Sequence, residues 1–186
     1  MVKMNQCIRG MNYIPDTELI VEKTEITVPK YDVIDAHAHF GKLVLGDDYE
    51  KLYDMDDIIS ILKGYHIKKI VNLDGFWVDE LGRMLEKTHP YNDDFIINFG
   101  GVDISRLDEP GFDKYIEKTL SESVKKGIKG IKVWKNVSLE MKDSKGKKIP
   151  IDDDRLRIIW ETAAKFNLVV LAHIADPLKG KLGDYL

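Results

Sequence analysis

Apolar residues recur along the chain with two alternating periods. After Asp54, the residues Met55, Ile58, Ile59 and Leu62 stand at i, i+3, i+4 and i+7, one face of a helix, and Gly64 supplies its stop. An apolar run over 67–73 follows and reads as a strand. Trp77, Leu81, Met84, Leu85 and Thr88 trace a second helix that ends at His89-Pro90, ahead of a strand over 95–102. Pro110 suits the first turn of a third helix carrying Phe112, Tyr115, Ile116, Leu120 and Val124, closed by Gly127. A strand over 128–134 comes next. Asp152, Asp153 and Asp154 place negative charge at the start of a fourth helix with Leu156, Ile159, Trp160 and Ala163 on its buried face, before a last strand over 168–173.

With 32–39 as the first strand, the pattern predicts about five parallel strands joined by four helices, an α/β fold with right-handed crossovers. Both a doubly wound sheet and part of a TIM-type (β/α)8 barrel have this grammar. Either places function at the C-terminal ends of the strands. Residues 1–30 precede the pattern as an N-terminal arm, with a short strand expected over 19–28; the repeating unit occupies 31–186.

Composition narrows the class. The 186 residues suffice for one domain. At 44 % hydrophobic and 32 % charged, the chain reads as an ordinary globular protein. Its net charge of −4 leaves no footprint for nucleic acid or an anionic membrane. Cys7 is the lone cysteine, which excludes an intrachain disulfide framework; with no signal-peptide pattern and no long apolar run, the expected compartment is the cytoplasm.

The first strand carries the candidate chemistry. In Val33-Ile-Asp-Ala-His-Ala-His-Phe40, strict alternation sets Ile34, Ala36, Ala38 and Phe40 on one face and Asp35, His37 and His39 on the other. Unpaired polar groups on a covered face cost about 1–3 kcal/mol each. Two imidazoles at a strand end, bound to one divalent metal, most naturally zinc, resolve this, with Asp35 a step deeper to orient a ligand. Without a metal they would be exposed strand-end histidines. His173 ends the fifth predicted strand on the same rim and completes a three-histidine set, whereas His66 and His89 fall on the opposite rim.

Lys132, in Ile128-Lys-Gly-Ile-Lys-Val-Trp-Lys135, points inward with Gly130 and Trp134 if Ile131 and Val133 face the helices. There it pairs with an anion, is carboxylated as a metal ligand, or acts as an amine of depressed pKa. A register shifted by one sends it to solvent and leaves Lys135 in its place. Asp74, Asp103 and Asp176 close strands on this rim as turn residues, Asp176 being the candidate catalytic carboxylate nearest His173. Trp77 and Trp134 are pocket or core residues, and the Lys-rich segment 136–150 is a lid or a flexible loop.

Asp35-Ala-His-Ala-His-Phe40, Gly130-Ile-Lys-Val-Trp134 and Leu171-Ala-His-Ile-Ala-Asp-Pro177 together resemble the metal-dependent amidohydrolase superfamily, closest to its amidohydrolase-related branch. The resemblance implies a (β/α)8 barrel with one or two metals, usually zinc, activating water. It matches His37 and His39 to first-strand ligands, His173 to the fifth-strand ligand, and Lys132 to the strand where some members carry a carboxylated lysine. The family pattern continues with a sixth-strand histidine and an eighth-strand aspartate. This sequence stops at Leu186 without them, so it is expected to be a barrel portion lacking strands six to eight, a fragment or a chain that completes its sheet by homo-oligomerising through open edges.

Three functions follow as expectations. The first is a hydrolase in which metal-activated water attacks a C–N or ester bond of a small-molecule substrate. The second is a metal-dependent decarboxylase on the same scaffold. The third is an inactive half-barrel that binds metal or associates with another chain. A phosphoesterase or nuclease fits less well, because Lys132 stands where an acidic residue is needed.

Overall fold

The computed structural model describes residues 24–173. In chain order the elements are β1 (Val33–Ala38), α1 (Lys42–Leu45), α2 (Tyr49–Leu52), α3 (Met55–Gly64), β2 (Ile67–Asn72), α4 (Val78–Thr88), β3 (Ile96–Gly100), α5 (Phe112–Lys125), β4 (Gly130–Val133), α6 (Lys135–Leu139), α7 (Arg157–Lys165) and β5 (Val169–Ala172). All strand pairings are parallel and the sheet order is β1-β2-β3-β4-β5. Strand order thus follows chain order, without the reversal that defines a doubly wound sheet. The sheet is a curled half-barrel of five parallel strands with helices between them.

The helices form where the sequence marks their ends. Asp54 caps α3 by accepting the Asp56 N–H at 2.7 Å, and Asp56 and Asp57 lie in its first turn. On α4 the buried residues Leu81, Met84, Leu85 and Thr88 follow the helical period. Gly127 closes α5 at φ 108°, a conformation that favours glycine. Ile131 and Val133 of β4 join Leu120 of α5 and Ile159 of α7 in one core, while Ile70 and Ile96 pack with Ile59 and Tyr49 in a second. Between them, under α4, Asn72 Nδ2 donates to Asn98 Oδ1 at 3.0 Å and Asn98 Nδ2 donates to Thr88 Oγ1 at 2.9 Å, a buried polar ladder tying β2 to β3.

Several expectations are corrected. Residues 24–32 contain no strand, since Ile26, 76 % exposed, has nothing to pack against; the remainder of the expected 19–28 strand lies outside the described residues. Pro110 stands before α5, because Gly111 at φ 88° intervenes and the helix starts at Phe112. Trp77 is the extended residue ahead of α4 and lies outside the helix. Three short helices, α1, α2 and α6, add to the four expected; at four or five residues they cover barely a turn and leave no period to read. Strict alternation also fails in β1. Its register against β2 slips between Val33 and Ile34 and again between Asp35 and Ala38, and Ile34 is 61 % exposed while Phe40 is buried.

The segment 136–150 is docked, and the flexible surface loop that was one of its two expected readings is corrected. Val137 and Ile149 are buried in the core, Lys142 bridges Lys148, and Asp143 accepts the Lys145 and Lys147 N–H groups. The Arg155 guanidinium holds it from below, bonded to Asp153 through Nε and Nη2 and to Asp108 through Nη1 at 2.7 Å, with Asp143 at 3.5 Å. Arg155→Ala is expected to raise tryptic cleavage at Lys142, Lys145, Lys147 and Lys148 several-fold while the far-ultraviolet dichroism of the chain is unchanged; an unaltered digestion rate would show that Val137 and Ile149 suffice to hold the segment.

Candidate functional site on the strand-end rim

The C-terminal ends of the strands gather the polar side chains. His37 and His39 leave β1 with ring centroids 5.2 Å apart, edge to face. His39 then stacks on Trp134, which follows β4, at 5.5 Å between centroids. Directly after β2, Asp74 is 1 % exposed and accepts the Phe40 N–H at 3.2 Å, so the carboxylate pins the chain just past His39. Asp74 Oδ1 and His39 Nδ1 face each other at 3.6 Å, beyond hydrogen-bond reach, and both atoms are buried without a partner.

Electrostatics follow from burial. Desolvation, then His37, then Lys132 hold His39 below the usual imidazole pKa, so it is a neutral nitrogen donor near neutrality. Burial lifts Asp74 to about 6, against the N–H groups of Phe40 and Gly41 and the Asn72 side chain, which pull it down. Asp35 spends its carboxylate on backbone: Oδ1 accepts the His37 N–H at 2.9 Å. His173 follows β5 on the same rim, its N–H donated to Val133 O at 3.0 Å. Asp176 lies outside the described residues.

Lys132 is 2 % exposed, on the face of β4 opposite the Ile131 and Val133 side chains. Its ammonium lies 5.5 Å from the centroid of the Trp134 ring, and burial lowers its pKa. Glycines let neighbouring backbone close around it. At Gly75, φ 63°, a Cβ would stand 2.8 Å from Lys132 Cβ and 2.6 Å from Trp134 Nε1; at Gly101 it would stand 1.7 Å from Gly75 O. Val78, φ 52°, is a β-branched residue in the left-handed region, strain on the order of 1–3 kcal/mol beside Trp77.

Between the strand ends of β2, β3 and β4 lies a cavity of about 550 Å³, with Phe76, Trp77, Ile104, Trp134 and Met141 among its walls and Asp103, Lys132, Lys135 and Glu140 as the charged residues that line it. A larger groove of about 770 Å³ over the N-termini of α5 and α7 lies outside the sheet and is lined by surface charges such as Asp154, itself paired with Arg157. The inner cavity, at the strand ends, is the one placed for chemistry. Phe76 and Asp74 carried no signal beyond a turn in the sequence; the Asp-Gly pair at 74–75, a tight bend directly after an apolar strand, is the feature that could have marked them.

Among the described residues no group of three or more His, Cys, Asp or Glu side chains is arranged to hold a metal ion. In kind, however, the donors fit one: a neutral imidazole and a carboxylate, both orphaned and buried, lie side by side next to a second imidazole. Among the described residues no helix is long and apolar enough to cross a membrane. No protein-family model matches the chain, and no curated protein matches it.

Proposed function

We propose that this chain carries the metal-binding rim of a hydrolase of the amidohydrolase type, acting on a C–N or ester bond of a small molecule in the cytoplasm. The observation that supports it best is the orphaned, buried pair of His39 Nδ1 and Asp74 Oδ1 beside His37, at the end of the parallel strands where barrel enzymes keep their chemistry. His37, His39 and His173 are the groups that would hold a divalent metal, zinc by preference. Such an ion, when bound, brings the pKa of its water near 7 and polarises a carbonyl.

The chain's own residues supply the rest. Asp74 fixes the backbone beyond His39 through the Phe40 N–H and so sets where that imidazole stands. Trp134 backs the same ring, and Asp35 braces the His37 backbone. Lys132 is one of the residues that line the cavity, and Asp176 is assigned the role of proton acceptor by its place three residues after His173. Exposed apolar positions on both edge strands, Ile34 on β1 and Val169 and Val170 on β5, favour self-association through those edges.

Metal content measured on the purified, untagged chain, with its mass in the same solution, tests both statements. About one zinc-like ion per chain is expected, lost in His173→Ala, with a mass above that of one chain. A folded chain with no metal would overturn the metal reading, and a monomeric mass would overturn association. Given metal, uptake of labelled oxygen from water into product marks hydrolysis, whereas release of carbon dioxide without it would replace the hydrolase by a decarboxylase.

A further inference from the structure

The connection from β2 to α4 is strained where its own packing does not offset the strain. Gly75 turns at φ 63° and Val78 at φ 52°, so two left-handed residues bracket Phe76 and Trp77. Glycine takes that conformation freely, whereas a β-branched residue in it is an outlier. Burial of the Val78 side chain does not compensate, because the residue is 45 % exposed. Helix geometry does not demand it either, since Val78 opens α4 and an ordinary helical φ is negative. Strain of this kind persists where the surroundings over-determine the backbone. Here Asp74 is tied at one end through the Phe40 N–H, and across the cavity mouth the Gly101 N–H donates to Phe76 O at 2.6 Å.

We propose that residues 75–78 are a sprung gate on the cavity between the ends of β2, β3 and β4. The gate swings on Gly75 and Val78, is latched by the hydrogen bond from Gly101 to Phe76, and is driven open by the return of Val78 to a backbone of negative φ. Phe76 and Trp77 both line the cavity, so they leave its mouth together when the latch breaks. Lys132, Val133 and Trp134, which belong to β4 or directly follow it, stay with the sheet as the opposite wall. The closed position depends on bare backbone contact: a Cβ on Gly101 would fall 1.7 Å from Gly75 O and 3.3 Å from the Trp77 ring. A short segment held by one such contact opens as a local unit, and a solute passes in or out of the cavity without disturbing the sheet. The gate requires no metal and stands apart from the hydrolase reading.

Amide hydrogen exchange of the full-length chain, followed residue by residue by NMR, tests this. The Gly101 N–H reports the latch, and the Ile70 N–H, bonded to Phe95 O at 2.9 Å in the core of the sheet, reports opening of the fold. After correction for intrinsic rates, Gly101 is expected to exchange at least about a hundredfold faster than Ile70. Val78→Gly, which accepts φ 52° without strain, is expected to slow Gly101 exchange about tenfold. Val78→Ala removes most of the side chain but keeps a Cβ in the left-handed region, and is expected to leave Gly101 within about threefold of its original rate. Equal protection of Gly101 and Ile70 would overturn the gate, because the latch would then open only with the whole fold. An unchanged Gly101 rate in Val78→Gly, or the same slowing in Val78→Ala, would overturn the Val78 backbone as its spring.

Discussion

Gly101→Ala is expected to destabilise the chain by about 3 kcal/mol or more, visible as a lower urea midpoint. The reason is rigid backbone. An added Cβ falls 1.7 Å from Gly75 O and 2.5 Å from Gly75 C, so no rotamer change relieves it. The two loops must separate, which breaks the Gly101 N–H bond to Phe76 O and pulls Phe76 and Trp77 off the cavity. Gly46→Ala is an informative contrast: nothing lies within 4 Å of its Cβ position, so its cost is confined to backbone strain at φ 84°. Should Gly101→Ala prove as mild as Gly46→Ala, the close approach of the β2 and β3 loops would be wrong.

Asp74→Asn is expected to stabilise the metal-free chain at pH 8 and leave it nearly unchanged at pH 4. Burial raises the Asp74 carboxyl from 3.8 to about 6, so the folded state favours the protonated acid. The stability this group contributes is present in full below pH 4 and is lost as the pH rises through 6, an amount of about 3 kcal/mol by linkage. Asparagine has no charge to desolvate. Its oxygen can keep the Phe40 N–H and its amide can donate to His39 Nδ1, the neighbouring orphan. His39 runs the other way: its lowered pKa favours the folded state as the pH rises past 6.5, so the wild-type profile mixes two opposed slopes. The difference between Asp74→Asn and wild type, from urea unfolding at pH 4, 6 and 8, reads the carboxyl together with the change it brings to its neighbour His39. A constant difference across that range would mean Asp74 is not buried as described.

How much of this was legible in the sequence depends on what sets each feature. Strand positions were, because an apolar run between helix stops is decided locally: 67–73 against Ile67–Asn72, and 168–173 against Val169–Ala172. The inward face of Lys132 was readable only as one of two registers, and tertiary packing of Ile131 and Val133 against α5 and α7 chose between them. The slips in β1 were not readable, since they depend on how β1 meets β2. The docking of 136–150 was hidden for a related reason: Arg155 binds Asp108 and Asp143 from distant parts of the chain, and a Lys-rich run looks mobile until its anchors are known. Asp74 sits in a common turn context, and its burial against His39 depends on the approach of β1.

The order of the strands bears on how the chain acquires its shape. Each strand hydrogen-bonds to the one made just before or just after it, with one helical crossover between, so no pairing waits for a distant part of the polypeptide. Closing such loops carries a modest entropic penalty that grows slowly with their length. Assembly can therefore proceed vectorially, unit upon unit, as the chain leaves the ribosome, each completed strand serving as the template for its successor. The newest edge is then always the reactive one, and the exposed Val169 and Val170 of β5 mark where that growth front stands at the end of the described chain.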